Sequence, residues 1–309
     1  MSKVTSITVF SIRREAANEC PKNLYLNWKC LRMHDYFPLQ PPRLQTELND
    51  SHYRYHEYLP SPFLRNIVAC YWTVDIQATD TEQLHRIIPD GCVDIIFDLR
   101  SHSSGKGAFI TGLMPTYEAI SRENDCSFFG IRFFLESIPL VLHYPVSSFG
   151  DNRVFLQEVW GTAGSLWSEE VLSVNGDIAK MIDHVESKLE QLLAQNILTS
   201  ERLVEKGIHY MHAYKGNLTI TSLASELNYS ERHIRRAFKN ECGLGPKELL
   251  EIFRFQYLLQ GLYRFSEPSK GAVWAGGYGY YDQSHLIKNF QRYYGLSPSQ
   301  VFNQGLSKE

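Results

Sequence analysis

Two sets of polar side chains, 52 residues apart, carry the chemistry this chain has to offer. The first is Arg232, His233, Arg235, Arg236 and Lys239, opened by Ser230; the second is Gln283, Ser284, His285, Lys288, Asn289 and Arg292, opened by Asp282. Neither set lies in a G-x-S-x-G elbow or a P-loop, the sequence settings of nucleophilic and nucleotide chemistry. What these side chains offer is directional hydrogen bonding. A guanidinium is a flat fork of donors that matches guanine O6 and N7, while Gln and Asn match adenine N6 and N7. Lys, further Arg and hydroxyl groups suit phosphate oxygens.

The elements that must position these side chains follow from the residues between them. Ser230, His233, Ile234, Phe238, Gly243, Leu244 and Pro246 recur as Asp282, His285, Leu286, Phe290, Gly295, Leu296 and Pro298. Such an internal repeat is the strongest organisational signal a single sequence can give. Ser230 and Asp282 are N-cap residues, with side-chain oxygens that accept from the first turn of a helix. Ile234 with Phe238, and Leu286 with Phe290, are spaced i, i+4 and form an inward stripe. Gly243 and Gly295 stand where a helix ends in a left-handed glycine, and Pro246 and Pro298 open the next segment. Before each set, Leu223–Leu227 and Trp274–Tyr278 carry a small Ala224 or Ala275 that lets two helices cross closely. The spacing therefore predicts two helix-turn-helix units whose second helices run over about 230–241 and 282–293. Lys247–Leu262 has no proline and is rich in helix formers, so it predicts a helix joining the units. Its 16 residues rise about 24 Å, a length that suits two helices about one DNA turn, roughly 34 Å, apart.

At this point the region 200–309 resembles the DNA-binding domain of the AraC/XylS family of bacterial transcription regulators. The resemblance rests on Gly279-Tyr-Tyr-Asp-Gln-Ser-His-Leu-Ile-Lys-Asn-Phe290 followed by Gly295-Leu-Ser-Pro298. It implies seven helices, with Arg232, Arg235, Arg236, Gln283, Ser284, His285 and Lys288 facing DNA. It also implies double-stranded DNA as partner, with RNA polymerase, a small-molecule effector and a second copy of the chain as further candidates. Trp274 with Gly276-Gly277 departs from the family, which usually has Ile or Val and fewer glycines there; two glycines loosen a helix.

The N-terminal part reads differently. Residues 200–309 hold 14 basic and 10 acidic side chains, the remainder 17 and 24. An acidic sensor joined to a basic reader fits that division. Short runs rich in Val, Ile, Phe and Tyr (Ile67–Val74, Val93–Leu99, Ala108–Leu113 and Phe128–Phe134) alternate with turn signals such as Pro89-Asp90-Gly91. They predict an antiparallel β domain over 51–167, either a barrel of the cupin kind or a sandwich, with Leu135–Leu142 as a helix. Tyr71-Trp72, Pro89–Phe97 and Gly130–Phe133 resemble a poorly characterised sensor-like domain that precedes some such regulators. Arg132, Tyr71 and Trp72 are the candidate ligand-binding residues, Arg132 as an anchor for an anionic group. Residues 168–199 predict a connecting helix with an apolar stripe at 178, 181, 182, 185, 189, 192 and 193, packed within its own chain or against a second copy. Residues 1–50, with Pro38 and Pro41-Pro42, predict an irregular extension peripheral to the fold, and Met33 is a second candidate start of the chain.

The overall expectation is an α+β chain: a β-rich domain followed by an all-α domain of two helix-turn-helix units. It is expected to be cytoplasmic, since the first ten residues alternate without a signal-peptide core and no stretch approaches the ~20 apolar residues of a membrane span. Six scattered cysteines without a C-x-x-C pair read as free thiols. No metal or other cofactor is expected: His52/His56 and His209/His212 lack a third ligand at hand. The rival reading is a cupin-like metalloenzyme with an incidental helical domain, which would need a bound metal.

Overall fold

The β-branched and aromatic runs do form strands. The computed structural model describes residues 36–45, 48, 50, 52–78, 85–101, 105–120, 124–150, 153–195, 202–264 and 277–302, all within one compact unit, His34–Glu309. The strands are β1 (Tyr53–Tyr58), β2 (Val68–Ile76), β3 (His85–Ile87), β4 (Cys92–Asp98), β5 (Ala108–Thr111), β6 (Glu118–Ile120), β7 (Cys126–Phe134) and β8 (Val154–Phe155). They build an antiparallel six-stranded sheet ordered β1-β2-β7-β4-β5-β8 and a separate two-stranded sheet, β3-β6. No closed barrel forms among the described residues, so the barrel expectation is corrected. The sheet runs open from β1 to β8, and helices cover the face that a barrel would turn upon itself.

Period-2 alternation divides the large sheet into two faces. Tyr71, Val93, Ile95, Phe97, Phe129, Ile131 and Phe133, all 0% exposed, face the main core. There Phe97 meets Trp167 edge-on at 5.5 Å. Tyr53, Tyr55, Cys70, Trp72, Val74 and Ile76 form a second, smaller cluster on the opposite face. The small sheet reaches that face, since His85 stacks on Tyr53 at 3.9 Å. The strand expectations hold to within two residues. β1, β3, β6 and β8 went unforeseen because charged side chains interrupt the first and the others have two or three residues each.

Leu135–Leu142 is helical as expected, a 3-10 turn running into α2 (Ile138–Leu142). After β8 come α3 (Leu156–Trp160), α4 (Thr162–Ser173) and α5 (Ile178–Ala194). The single connecting helix expected from 168 is thus two helices. Gly176 takes φ +97°, and the Asp177 side chain accepts from Lys180 N to start α5 afresh. The stripe of α5 buries Met181, Val185 and Leu189 in the main core of its own chain.

The helical half comprises α6 (Leu203–Ala213), α7 (Ile220–Leu227), α8 (Glu231–Cys242), α9 (Pro246–Arg264), α10 (Gln283–Tyr294) and α11 (Pro298–Phe302). The joining helix α9 is not a solvated rod. Leu249, Phe253, Phe255, Leu258 and Leu259 are fully buried, and so is Gln256. α9 is a core element, and it joins the helical core to the β domain's core in one continuous cluster.

The expectation of a peripheral extension is also corrected. Residues 1–35, and with them Met33, lie outside the described residues. From Tyr36 the chain is a buried strap, with Tyr36, Leu39, Gln40 and Gln45 at most 4% exposed and α1 (Pro41–Leu44) in its middle. Prolines made this stretch read as loop, yet its backbone groups find partners on α9. Leu39 N donates to Gln256 Oε1 at 2.9 Å, Gln256 Nε2 donates to Leu39 O at 3.2 Å and to Pro89 O at 3.0 Å, and Gln260 Nε2 donates to Phe37 O at 2.7 Å. Cys70, Cys92, Cys126 and Cys242 are free thiols; Cys20 and Cys30 lie outside the described residues.

Candidate nucleic-acid interface

In the first unit, α7 starts at Thr219, whose Oγ1 accepts from Ser222 N at 3.0 Å, and ends at Asn228 with φ +58°. Its Ala224 is buried where the two helices pack. α8 starts at Ser230, whose Oγ accepts from His233 N at 3.3 Å, and ends at Gly243 with φ +78°. Ile234 and Phe238 point inward at 0% exposed. Arg232, Arg235, Arg236 and Lys239, at i, i+3, i+4 and i+7, share one exposed face.

The second unit repeats the design. Asp282 Oδ1 accepts from His285 N at 2.7 Å, α10 ends at Gly295 with φ +77°, and Leu286 and Phe290 are buried. Gln283, Ser284, His285, Lys288 and Arg292 are exposed, while Asn289 is half-buried. Trp274, Ala275 and Gly276, the expected core of the preceding helix, lie outside the described residues.

The twelve expected interface residues divide by what already holds them. Arg232, Arg236, Gln283, Ser284 and Lys288 carry no hydrogen bond or ion pair to any described side chain or backbone group. Arg235 Nη2 pairs with Glu231 Oε2 at 3.0 Å, and Thr221 donates to the other oxygen at 2.6 Å. Together Thr221 and Arg235 hold that carboxyl below its usual range. Lys239 Nζ donates to Gly243 O at 2.7 Å, Arg292 pairs with Glu251 of α9 at 3.1 Å, and Asn289 donates to His285 O at 3.0 Å. Ser230 is a cap. His233 stacks with Tyr229 at 4.8 Å, and His285 meets Tyr280 edge-on at 5.3 Å.

Both units face the β domain at the same point. Ser147 Oγ donates to Asn240 O, and a Cβ on the neighbouring Gly243 would lie 3.4 Å from Ser147 Cα. At the matching Gly295, a Cβ would lie 2.5 Å from Tyr117 Cζ. Tyr294 OH donates to Gln45 Oε1 of the strap at 2.8 Å. The C-terminal ends of α8 and α10 are therefore covered, and their N-terminal ends are exposed.

The three N-terminal candidates do not form one site. Trp72 and Arg132 meet, with the guanidinium 5.9 Å from the ring centre. Tyr71 points to the opposite face, where its hydroxyl donates to Glu186 at 3.2 Å. Arg132 is 4% exposed and its charge is already matched. It sits 3.2 Å from Asp90 Oδ2 and 3.0 Å from Asp94 Oδ2, and Trp72 Nε1 also donates to Asp94 at 3.1 Å. Burial opposes the Arg132 charge, but Asp94 and Asp90 more than offset it. Burial raises the Asp94 carboxyl even beside Arg132. Sequence reasoning missed these carboxylates because only the β4–β7 register, Asp94 opposite Arg132, brings them together. His212 is a packing histidine, 4.6 Å from Tyr36 and 4.2 Å from Phe253. Among the described residues no three His, Cys, Asp or Glu come together as metal ligands.

Residues 223–304 match a helix-turn-helix domain family, and residues 56–155 match a domain of unknown function, DUF6597. None of the curated proteins matches the chain. Among solved structures, an apo variant of ToxT from Vibrio cholerae is similar at 12% identity and a TM-score of 0.38, over 82% of this chain and 98% of that one. Among the described residues no helix is long and apolar enough to cross a membrane.

Proposed function

We propose that the chain is a DNA-binding transcription regulator with a C-terminal helix-turn-helix domain of the AraC type behind a DUF6597 domain, and that one molecule reads two successive major grooves. In this reading α8 enters one groove with Arg232, Arg235 and Arg236, and α10 enters the next with Gln283, Ser284, His285 and Lys288. Ser230, His233, Lys239, Asn289 and Arg292 lie along the same two helices and serve the sugar-phosphate walls.

The observation that carries this reading is the pair of matched recognition helices, each with its N-terminal end exposed and with uncommitted Arg, Gln, Ser or Lys side chains facing out. The joining helix supports it. The 19 residues of α9 rise about 28 Å, on the scale of one turn of B-DNA, roughly 34 Å. The test is selection from random duplex DNA by the purified full chain. Two conserved blocks about 10 base pairs apart are expected. One block would confine base reading to a single unit, and no motif at low salt would overturn the proposal.

Control is proposed to come from the N-terminal domain, through a small molecule or a second copy of the chain. Its grip on α9 and on both C-caps supports this, because a shift there reaches both units. If a small molecule acts at Arg132, it presents a neutral acceptor and not the anionic group expected from sequence. Asp90 and Asp94 already balance the guanidinium, while Nη1 is buried without a partner among the described residues. A thermal-shift panel of neutral against anionic metabolites, with mass measured in solution, separates the alternatives.

A further inference from the structure

Each recognition helix is preceded by an exposed tyrosine at the same repeat position: Tyr229 before Ser230, and Tyr281 before Asp282. The two residues are 49% and 95% exposed, so both are open to contact with a macromolecular partner. Their surroundings differ while their placement does not. Tyr229 follows a left-handed Asn228 and stacks on His233, whereas Tyr281 follows the buried Tyr280 and its N–H points at His285 Nδ1 from 3.4 Å. Neither phenol hydroxyl has a hydrogen-bond partner among the described residues. Both stand at the exposed ends of α8 and α10, opposite the ends that Ser147 and Tyr117 cover.

We propose that Tyr229 and Tyr281 are a matched pair of uncharged backbone clamps, each donating its phenol O–H to a phosphate oxygen at the wall of the groove its helix enters. A residue just outside the helix N-terminus lies beyond the base edges that the helix face reaches, and tyrosine hydroxyls are among the side-chain groups that bind phosphate. The clamp rests on the two-groove reading above and adds to it a contact that carries no charge. A neutral donor displaces no counterion, so it adds affinity without adding salt dependence.

The test uses the full chain and the duplex motif that the wild type selects, with affinity measured over a range of salt. Tyr229→Phe and Tyr281→Phe keep the ring and remove only the hydroxyl. Each is expected to weaken binding about tenfold, in line with a hydrogen bond to a charged group, and the double variant by about the product. The slope of log affinity against log salt should stay at the wild-type value, as should the motif on reselection. Wild-type affinity in both Phe variants overturns the clamp, as does a loss seen only on replacement by Ala, which would assign the contact to the ring. A changed motif overturns it too, by assigning a base contact. If the wild type selects no motif, the two-groove reading fails and the clamp with it; if it does and the Phe variants are silent, the clamp alone fails.

Discussion

Gln256 and Leu39, 217 residues apart, pair as two amides do: Leu39 N donates to Gln256 Oε1 at 2.9 Å and Gln256 Nε2 donates back to Leu39 O at 3.2 Å. The same Nε2 also serves Pro89 O, so one fully buried side chain on α9 satisfies three backbone groups of the N-terminal part. Gln256→Leu keeps the volume and leaves all three unpaired, at about 1–3 kcal/mol for each buried group. A loss of about 3–5 kcal/mol in urea unfolding is expected. Gln260→Leu removes one bond, to Phe37 O, and should cost clearly less. Equal losses in the two variants would contradict this account of the seam.

Gly243 and Gly295 occupy the same repeat position and the same left-handed conformation, yet they should not tolerate alanine equally. The backbone penalty is common to both, about 1–2 kcal/mol. At Gly243 the new methyl meets Ser147 at ordinary contact distance, while at Gly295 it would strike the Tyr117 ring at 2.5 Å. Overpacking adds about 1–3 kcal/mol. Gly295→Ala is therefore expected to lower the melting temperature more than Gly243→Ala, and Tyr117→Ala in the Gly295→Ala background should recover the difference.

Arg236 and Lys288 have no partner among the described residues, so their removal should be felt on DNA and not in folding. Replacing either by Ala should leave the melting temperature unchanged and weaken DNA binding. Each phosphate that a variant leaves unneutralised makes the salt slope shallower by about 0.9. Gln283→Ala with His285→Ala should instead broaden the selected motif more than it reduces binding to unrelated DNA. A motif left unchanged by that pair would remove α10 from base reading.

Stability should fall at alkaline pH. Burial pushes the Cys242 thiol up to about 12, with Glu241 adding to the rise, and burial also raises Tyr280 and Tyr293. The unfolded thiol releases its proton near the ordinary cysteine value of 9.0. Above that pH the unfolded state binds fewer protons than the folded one, so the stabilisation present below about pH 9 is lost as pH rises toward the folded value. Each such group contributes up to about 1.4 kcal/mol per pH unit in that window. Urea midpoints should decline steadily from about pH 9, and more gently in Cys242→Ala; a flat profile to about pH 10.5 would count against the assignment.

The helices α8 and α10 were legible because their determinants are local. Ser230, Asp282, Gly243 and Gly295 act on backbone within four residues, and the i, i+4 stripes need only the helical period. The strands β2, β4 and β7 were legible as apolar runs for the same reason. The break between α4 and α5 was also written locally, in Asn175-Gly176-Asp177, and was overlooked because the apolar spacing on either side resembles one helix. The strap and the Arg132 cluster were not legible. Gln40, Gln45 and Gln256 carry no local signal of burial, because their partners come from distant parts of the chain. Arg132 read as an open anchor because the register that sets Asp94 opposite it is a tertiary fact.

The buried strap bears on how such a chain can be recombined. A cut near residue 200, where composition changes, would hand the helical half away without Leu39 and Gln45, leaving the Gln256 amide and the Tyr294 hydroxyl without the groups they bind. A working chimera must carry residues 36–45 along with 202–302, though residues 46–201 stand between them in the sequence. The heritable module is discontinuous, and a donor sensor would have to be spliced between its two pieces.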